Sequence, residues 1–491
     1  MDQPLAFAIE LPSRGRLEAL HGQLRAAILD GRLAGGQGLP STRGLAASLG
    51  LSRNTVVAAY DRLLSEGYVS ARQGAGYLVS SGLARQEARV VRGADGDRRL
   101  APPWRHAVMP VRTSAPASFR HDLRVGFPDA SRFPFDVWRR LAARALRNLS
   151  RKAAGYPAPA GRRALREAIA GHVSFARAVT CGADDVVVCN GAQQAFDLLA
   201  RILVTPGRTV VAVEDPGYPP LRAAFAAAGA RVVPVPVDGE GLVVERLPAT
   251  ARVIYVTPSH QFPLGMVMSP ARRMALLDFA RRHGAVIIED DYDGEFRYGD
   301  RPLDALQTLD RDGLVFYVGT FSKSLFPALR LGYAVAPPWA LAALVQARQV
   351  CDWHADVLAQ DTLASFIAEG HLARHVRKMR RIYAERREAL IDGLVRHAGE
   401  WLALQGSDAG LHVAALLPPE LDAGALVQRA LAQDMRIEAL SGYAIGATAP
   451  NGLVFGLGTL PAARMDEATQ ALGRLLRTPV PAQPSPRTQS R

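Results

Sequence analysis

Apolar residues recur at helical spacing through the first sixty positions, and most of the stripes start beside a residue able to cap a helix. Leu17, Leu20, Leu24 and Ile28 share one face of a stretch predicted helical from Arg16 to Asp30. Gly35-Gly36-Gln37-Gly38-Leu39-Pro40 then breaks the chain. Ser41 or Thr42 can cap a short helix carrying Leu45 and Leu49, and Gly50 makes the turn. Ser52 caps the next helix, which turns Val56, Ala59, Tyr60 and Leu63 inward and leaves Arg53, Asn54 and Thr55 exposed at its start. Helix, glycine turn and capped helix form the helix-turn-helix pattern, whose second helix enters the major groove by its first residues. Gly67-Tyr68-Val69-Ser70 and Tyr77-Leu78-Val79 flank Arg72-Gln73-Gly74-Ala75-Gly76, which predicts a β-hairpin with a basic, glycine-rich tip, a wing. A small helical bundle with solvated polar faces fits the same stripes.

Periodicity changes further on. Residues 81–118 carry many Arg, Pro, Ala and Gly without a repeat, and predict a flexible linker between a first domain at 12–80 and a second at 119–477. In the second domain, short β-branched runs at 186–189, 210–213, 253–256, 286–289 and 314–317 alternate with helical segments such as 194–203 and 274–282. That alternation predicts a mostly parallel α/β sheet whose strand-end loops build a site. A long basic helix over 370–397 leads into a smaller α+β part, and the Pro-, Ser- and Gln-rich tail at 478–491 predicts disorder. The fold class is thus α+β multidomain: a winged helix-turn-helix followed by an α/β domain.

Composition narrows the setting. A chain of 491 residues exceeds one ordinary core. The net charge of +13 favours an anionic partner but supports nucleic acid only weakly, since arginine-rich composition alone gives it. Cys181, Cys189 and Cys351 are odd in number and widely spaced, which implies a reducing compartment and no structural zinc. With no basic n-region and no long apolar run, a cytoplasmic location is expected.

Lys152, Lys323 and Lys378 are the only lysines, beside 56 arginines (59 less 3). Lysine does one thing arginine cannot: desolvated, its amine loses a proton and attacks a carbonyl to form a Schiff base. Lys323 lies in Gly-Thr-Phe-Ser-Lys-Ser-Leu-Phe-Pro-Ala-Leu-Arg-Leu-Gly (319–332), where Thr320, Ser322 and Arg330 suit a phosphate. Together they suggest pyridoxal 5'-phosphate. Three other strand-end features converge on such a ligand. Gly191, Ala192 and Gln193 open a helix, where backbone N–H groups can meet a phosphate. Tyr218 follows a Pro-Gly turn and can stack on a pyridine ring. The run Glu289-Asp290-Asp291-Tyr292 offers a carboxylate for the pyridine nitrogen; a metal there is disfavoured, with no His or Cys at ligand spacing.

The ordered set Gly191-Ala192, Asp215-Pro-Gly-Tyr218, Asp290-x-Tyr292 and Ser322-Lys323 with Arg330 resembles fold-type I aminotransferases over about residues 120 to 475. The resemblance implies an internal aldimine on Lys323, Asp290 on the ring nitrogen, Tyr292 on the 3-hydroxyl and Tyr218 stacked on the ring. It gives the phosphate to Ala192, Gln193, Thr320, Ser322 and Arg330. Tyr156 of Gly-Tyr-Pro-Ala-Pro-Ala-Gly matches a tyrosine that reaches the neighbouring subunit's phosphate, so a homodimer is implied. Two departures stand out. Asn-Pro-x-Gly is replaced by Pro258-Ser-His-Gln-Phe262-Pro-Leu-Gly265, and Asn451-Gly-Leu-Val-Phe-Gly456 lacks a carboxylate-binding arginine, leaving Arg436 and Arg464 as the nearest candidates.

Leu39-Pro-Ser-Thr-Arg43, Ser52-Arg-Asn-Thr-Val56 and Leu63-x-x-Glu-Gly-Tyr-Val69 resemble GntR-type winged helices. This implies that Arg43, Ser52, Arg53, Asn54 and Thr55 lie at the DNA, with Arg72 and Gly74 placing the wing at the minor groove. The fusion is similar to the MocR family of bacterial transcription regulators. An operator-binding regulator that senses an amine, amino acid or cofactor vitamer through Lys323 is implied, with little or no turnover. The alternative is an active transaminase carrying a DNA-binding domain.

Overall fold

The computed structural model describes residues 5–72, 76–82, 99–105, 119–151, 155–299, 303–406, 409–446 and 449–478. The chain divides into two compact units, Met1–Ala94 and Asp95–Arg491.

In the first unit the stripes become helices Arg16–Leu29, Thr42–Leu49 and Arg53–Ser65. Ser41 Oγ accepts from the Gly44 N–H at 3.0 Å and Ser52 Oγ from the Thr55 N–H at 3.1 Å, so both predicted caps form. Gly50 closes the first of these capped helices at φ 62°, a left-handed conformation that costs glycine little. Leu20, Leu24, Leu45, Val56, Tyr60 and Leu63 make one buried core, and Tyr60 spans it to donate to the Pro40 carbonyl at 2.9 Å. Strands Val69–Arg72 and Gly76–Val79 form the antiparallel hairpin. The segment read as a break does more than turn: Leu39 N donates to the Tyr77 carbonyl and Val79 N to the Gln37 carbonyl, so it joins the hairpin edge.

The second unit is built on an eight-stranded sheet. In spatial order its strands are Val186–Cys189, Gly332–Val335, Val315–Thr320, Val286–Asp291, Ala251–Val256, Val210–Asp215, Arg231–Asp238 and Gly241–Leu242. Gly332–Val335 runs antiparallel to both neighbours and Gly241–Leu242 to its one; the other pairings are parallel. All five predicted strands are present, while Arg231–Asp238, Gly332–Val335 and Gly241–Leu242 are additions. Pro234 and Pro236 hide the first of these, since proline marks a strand as an edge or excludes it. One sheet face packs on helices Ala192–Leu203 and Pro338–Asp352, the other on Arg163–Arg177 and Val357–Ala368.

Helix His371–Ala398 leads to the small antiparallel sheet Ala403–Leu404, His412–Leu416, Gly452–Gly456, Glu438–Ala439. His121–Asp122 pairs with Met435–Arg436 beside it, and Gly456 N donates to the Leu123 carbonyl at 2.7 Å. The segment after Asp122 thereby runs from the small sheet to the strand ends of the large one. Residues 83–98, 106–118 and 479–491 of the expected linker and tail lie outside the described residues. Within the linker range, Pro102–Trp104 forms a short 3-10 turn against helix Pro219–Ala227. No helix among the described residues is long and apolar enough to cross a membrane.

Leu63 is fully buried in the first unit. Leu63→Ala is expected to cost that unit about 2–5 kcal/mol, read as a fall in its calorimetric transition; no change would contradict a core built on this stripe.

Candidate functional site

The parallel strands end on one edge of the large sheet, and the loops that follow carry the predicted residues. Alternation along Val286–Asp291 decides which acid faces the pocket, because neighbouring side chains point to opposite faces. Glu289 accepts from the Leu306 and Gln307 backbone N–H groups at 2.8 and 2.9 Å. Asp291 pairs with Arg177 at 2.6 Å and accepts from the Tyr317 hydroxyl at 2.6 Å. Both are thus committed on the opposite face.

Asp290 differs from its two neighbours. It is buried, its Oδ2 accepts from the Tyr255 hydroxyl at 2.7 Å, and its Oδ1 has no hydrogen-bond partner among the described residues. Burial, against the pull of the Tyr255 hydrogen bond, raises its pKa to about 7, and the Asp291 charge adds to the rise. A buried carboxylate oxygen without a partner is costly, and a cationic N–H donor supplies what it lacks. Glu214 is also buried and pushed to about 7 by desolvation, but Thr257 and Gln261 surround it with donors.

Lys323 lies in the turn after Val315–Thr320 and donates to the Gly126 carbonyl at 2.6 Å. Gly126 has φ +85°, and a Cβ there would stand 2.9 Å from the amine. The N-terminal segment of the second unit therefore lines the Lys323 amine at a positive φ that favours glycine. Beside Lys323, Ser322 N donates to Thr320 Oγ1 at 3.2 Å, and the two hydroxyls lie 3.0 Å apart. Arg330 has φ +52° and donates to the Asn190 carbonyl at 2.9 Å. Gly191 has φ +75°, with the Arg330 guanidinium 3.2 Å from where a Cβ would sit. Ala192 and Gln193 open helix Ala192–Leu203, whose first N–H groups have no partner within the helix. A guanidinium, two hydroxyls and a helix N-terminus are groups that could together form an anion cup.

Aromatic rings line the other side. Phe262, 8% exposed, meets Tyr218, Tyr292, His412 and Tyr443 nearly edge-on, with centroids 5.5, 5.7, 5.4 and 5.1 Å away. Tyr292 donates its hydroxyl hydrogen to the His260 carbonyl at 3.0 Å. Tyr156 lies apart from this group, 79% exposed, with its ring 4.5 Å from that of Trp353. Of the two candidate carboxylate binders, Arg464 has polar partners, whereas the buried Nε of Arg436 has none among the described residues. Arg464 lies near Glu467 and donates to the Arg120 carbonyl, and Arg436 sits over the Phe119 ring.

Tyr255, Gly126 and Arg177 belong to this architecture without a sequence signal of their own, and His260 only as part of the departing 258–265 loop. Tyr255 sits one residue before the end of a predicted strand, where an aromatic residue looks like core. Gly126 is one of 44 glycines, with no motif around it.

In the first unit, the side chains of Arg43, Arg53 and Asn54 are exposed and make no hydrogen bond or ion pair among the described residues. Ser52 is occupied by the cap, and its Oγ also lies 2.8 Å from Thr55 Oγ1. Arg72 is exposed at the end of its strand, and Gly74 lies outside the described residues.

Family models match both units. Residues 17–79 match the bacterial regulatory proteins of the gntR family, and residues 122–472 match aminotransferase class I and II. The probable rhizopine catabolism regulatory protein MocR of Rhizobium meliloti is 38% identical over 459 residues, 92% of each chain. The pyridoxine biosynthesis transcriptional regulator PdxR of Corynebacterium glutamicum is 33% identical over 439 residues, covering 89% of this chain and 90% of that one. Among solved structures, LysN, the α-aminoadipate aminotransferase of Thermus thermophilus complexed with N-(5'-phosphopyridoxyl)-L-leucine, superposes with a TM-score of 0.67 at 30% identity, over 72% of this chain and 91% of that one. A GntR-type helix-turn-helix unit and an aminotransferase-like unit on one chain, matched nearly end to end by such regulators, place this protein in the MocR family of transcription regulators.

Proposed function

We propose that the second unit holds pyridoxal 5'-phosphate on Lys323 and acts as a sensor. An amino compound, or the free vitamer, would then alter how a homodimer of the chain engages a double-stranded DNA operator. The observation that carries this reading is Asp290: a buried carboxyl with one oxygen unmatched among the described residues, on the same strand edge as Lys323 and the anion cup. A pyridine nitrogen bearing a proton fits that oxygen, a phosphate fits Arg330, Ser322, Thr320 and the helix start, and an aldehyde fits Lys323. Bound there, the cofactor would supply a carbonyl for amines to exchange onto.

What the surrounding residues do favours sensing over turnover. Phe262 brings no polar atom to the ring, and it ties Tyr218 and Tyr292 to His412 and Tyr443 of the C-terminal part. A change at the ring thus has a packed route out of the pocket. The exposed Tyr156–Trp353 pair supports a partner subunit that covers it.

Arg53 and Asn54 are suited to base edges and Arg43 and Arg72 to phosphates, since they are exposed and the first three have no side-chain partner among the described residues.

Three outcomes are expected. In operator-binding titrations with a panel of amines, wild type shifts affinity about 5–150-fold with its effector, and Lys323→Ala does not shift; equal responses would rule out Lys323 as the sensing group. Steady release of a keto acid with 2-oxoglutarate would establish the transaminase instead. Arg53→Ala weakens the operator by about 1–3 kcal/mol and relaxes sequence preference, whereas Arg43→Ala weakens all DNA and lowers the salt slope by about one; the reverse pattern would exchange their roles.

Asp290→Asn separates stability from binding. Because burial raises the carboxyl's pKa above its unfolded value to about 7, the native state holds the proton longer, and stability falls as pH rises through that range. The neutral amide should therefore raise apo-protein stability at pH 8 by about 1–3 kcal/mol while weakening cofactor binding. Lower apo stability together with unchanged cofactor affinity would show that Asp290 is an ordinary structural acid.

A further inference from the structure

The loop after Ala251–Val256 holds a second device beside Phe262. His260 is 2% exposed, and its Nδ1 stands 3.2 and 3.1 Å from the two carboxylate oxygens of Asp293 and 2.8 Å from the Tyr292 hydroxyl oxygen. A nitrogen lone pair turned toward a carboxylate would repel it, so Nδ1 carries the proton. Nδ1–H is then shared between Asp293 and the Tyr292 oxygen, and the phenol sends its own hydrogen to the His260 carbonyl at 3.0 Å. Side chain and main chain of one residue thus grip both ends of the same O–H group.

The grip is braced from the C-terminal part. Leu411 N donates to Asp293 at 3.2 Å, and His412 Nε2 lies 2.9 Å from the Pro263 carbonyl. Gly410, at φ +84°, lets the chain close on the pair; an added Cβ would overlap the His260 ring. Burying the Asp293 carboxylate costs free energy unless it is paired, and the imidazole N–H and the Leu411 N–H both face it. A histidine that merely filled space would require no such carboxylate.

We propose that His260, backed by Asp293, is a positioning residue that sets the Tyr292 phenol against the cofactor ring. This rests on the reading above, in which Lys323 and Asp290 hold a pyridine aldehyde. With the cofactor bound, the phenol would turn its hydrogen from the His260 carbonyl toward the ring oxygen, its own oxygen still held by Nδ1–H. A hydroxyl whose oxygen accepts a hydrogen bond is a stronger donor. The Lys323 nitrogen, its proton less shared with the ring oxygen, would then lose that proton at lower pH. The other ionisable groups facing His260 are Asp293, Tyr292 and His412; Lys323 acts through charge on His412, and Asp290, Glu214 and Asp291 on Tyr292.

The test follows the visible absorption of the full-length protein loaded with pyridoxal 5'-phosphate as pH is varied. The band's midpoint should rise by about 0.5–1.5 pH units in Tyr292→Phe and by a smaller amount in His260→Gln. The double variant should match Tyr292→Phe. A normal midpoint in His260→Gln beside a raised one in Tyr292→Phe overturns the proposal. Asp293→Asn, close in size, is the second variant if the first does not fold, with the same rise expected. Nitrogen-15 histidine spectra of the unloaded protein decide the case even where no band forms, an outcome that would instead sink the cofactor reading. An Nδ1–H signal that vanishes in His260→Gln and moves in Tyr292→Phe supports the proposal. A His260 protonated only at Nε2, or unmoved in Tyr292→Phe, overturns it.

Discussion

A buried carboxyl group, Asp290, with one oxygen unmatched among the described residues is the constraint around which the second unit is arranged. The acids around it have their oxygens met by other groups: Glu289 by backbone N–H groups, Asp291 by Arg177 and Tyr317, Glu214 by Thr257 and Gln261. The sheet makes this sorting automatic along one strand, since alternation sends Asp290 to one face and its two neighbours to the other. Without those partners, four carboxyls along one edge of the sheet would repel one another and open the strand ends. The scaffold therefore leaves one of these acids with an acceptor that is unmet among the described residues, and a ligand cation would complete it.

The rest of the pocket is held by backbone conformations few residues adopt. Gly191 and Gly126 have positive φ and leave room for a guanidinium and an amine, and Arg330 itself has φ +52°. A non-glycine residue at positive φ is strained, and such strain persists where surrounding contacts over-determine it. Here the Asn190 carbonyl fixes the guanidinium and so joins two loops from strand ends on either side of Gly332–Val335.

Much of this was legible in the chain, and the remainder fails to be legible for physical reasons. Lys323 stood out because lysine is rare here, and Asp290 because an apolar strand ends in acids. The strand runs were visible wherever β-branched residues clustered, but Arg231–Asp238 carries two prolines and Gly332–Val335 follows a turn that reads as part of the lysine segment. Gly126 touches Lys323 across 197 positions, and Tyr255 bonds Asp290 across 35. No local pattern encodes such contacts, because they depend on strand order, which periodicity does not give. Phe262 was legible as a departure, yet its role as the hub of four aromatic neighbours appears only when the C-terminal strand His412–Leu416 is packed beside the loop.

The regulator thus carries, on one chain, a helix-turn-helix unit whose exposed Arg43 and Arg53 have no partner among the described residues and an aminotransferase-like unit whose buried Asp290 has one oxygen without a partner among them. The central claim is that Lys323 is where the cofactor attaches. The most direct measurement is peptide mass mapping of the full-length protein after incubation with pyridoxal 5'-phosphate and reduction with borohydride. The account predicts one reduced pyridoxyl group per chain, on the peptide containing Lys323. Label spread over Lys152 and Lys378, or none at all, would contradict it.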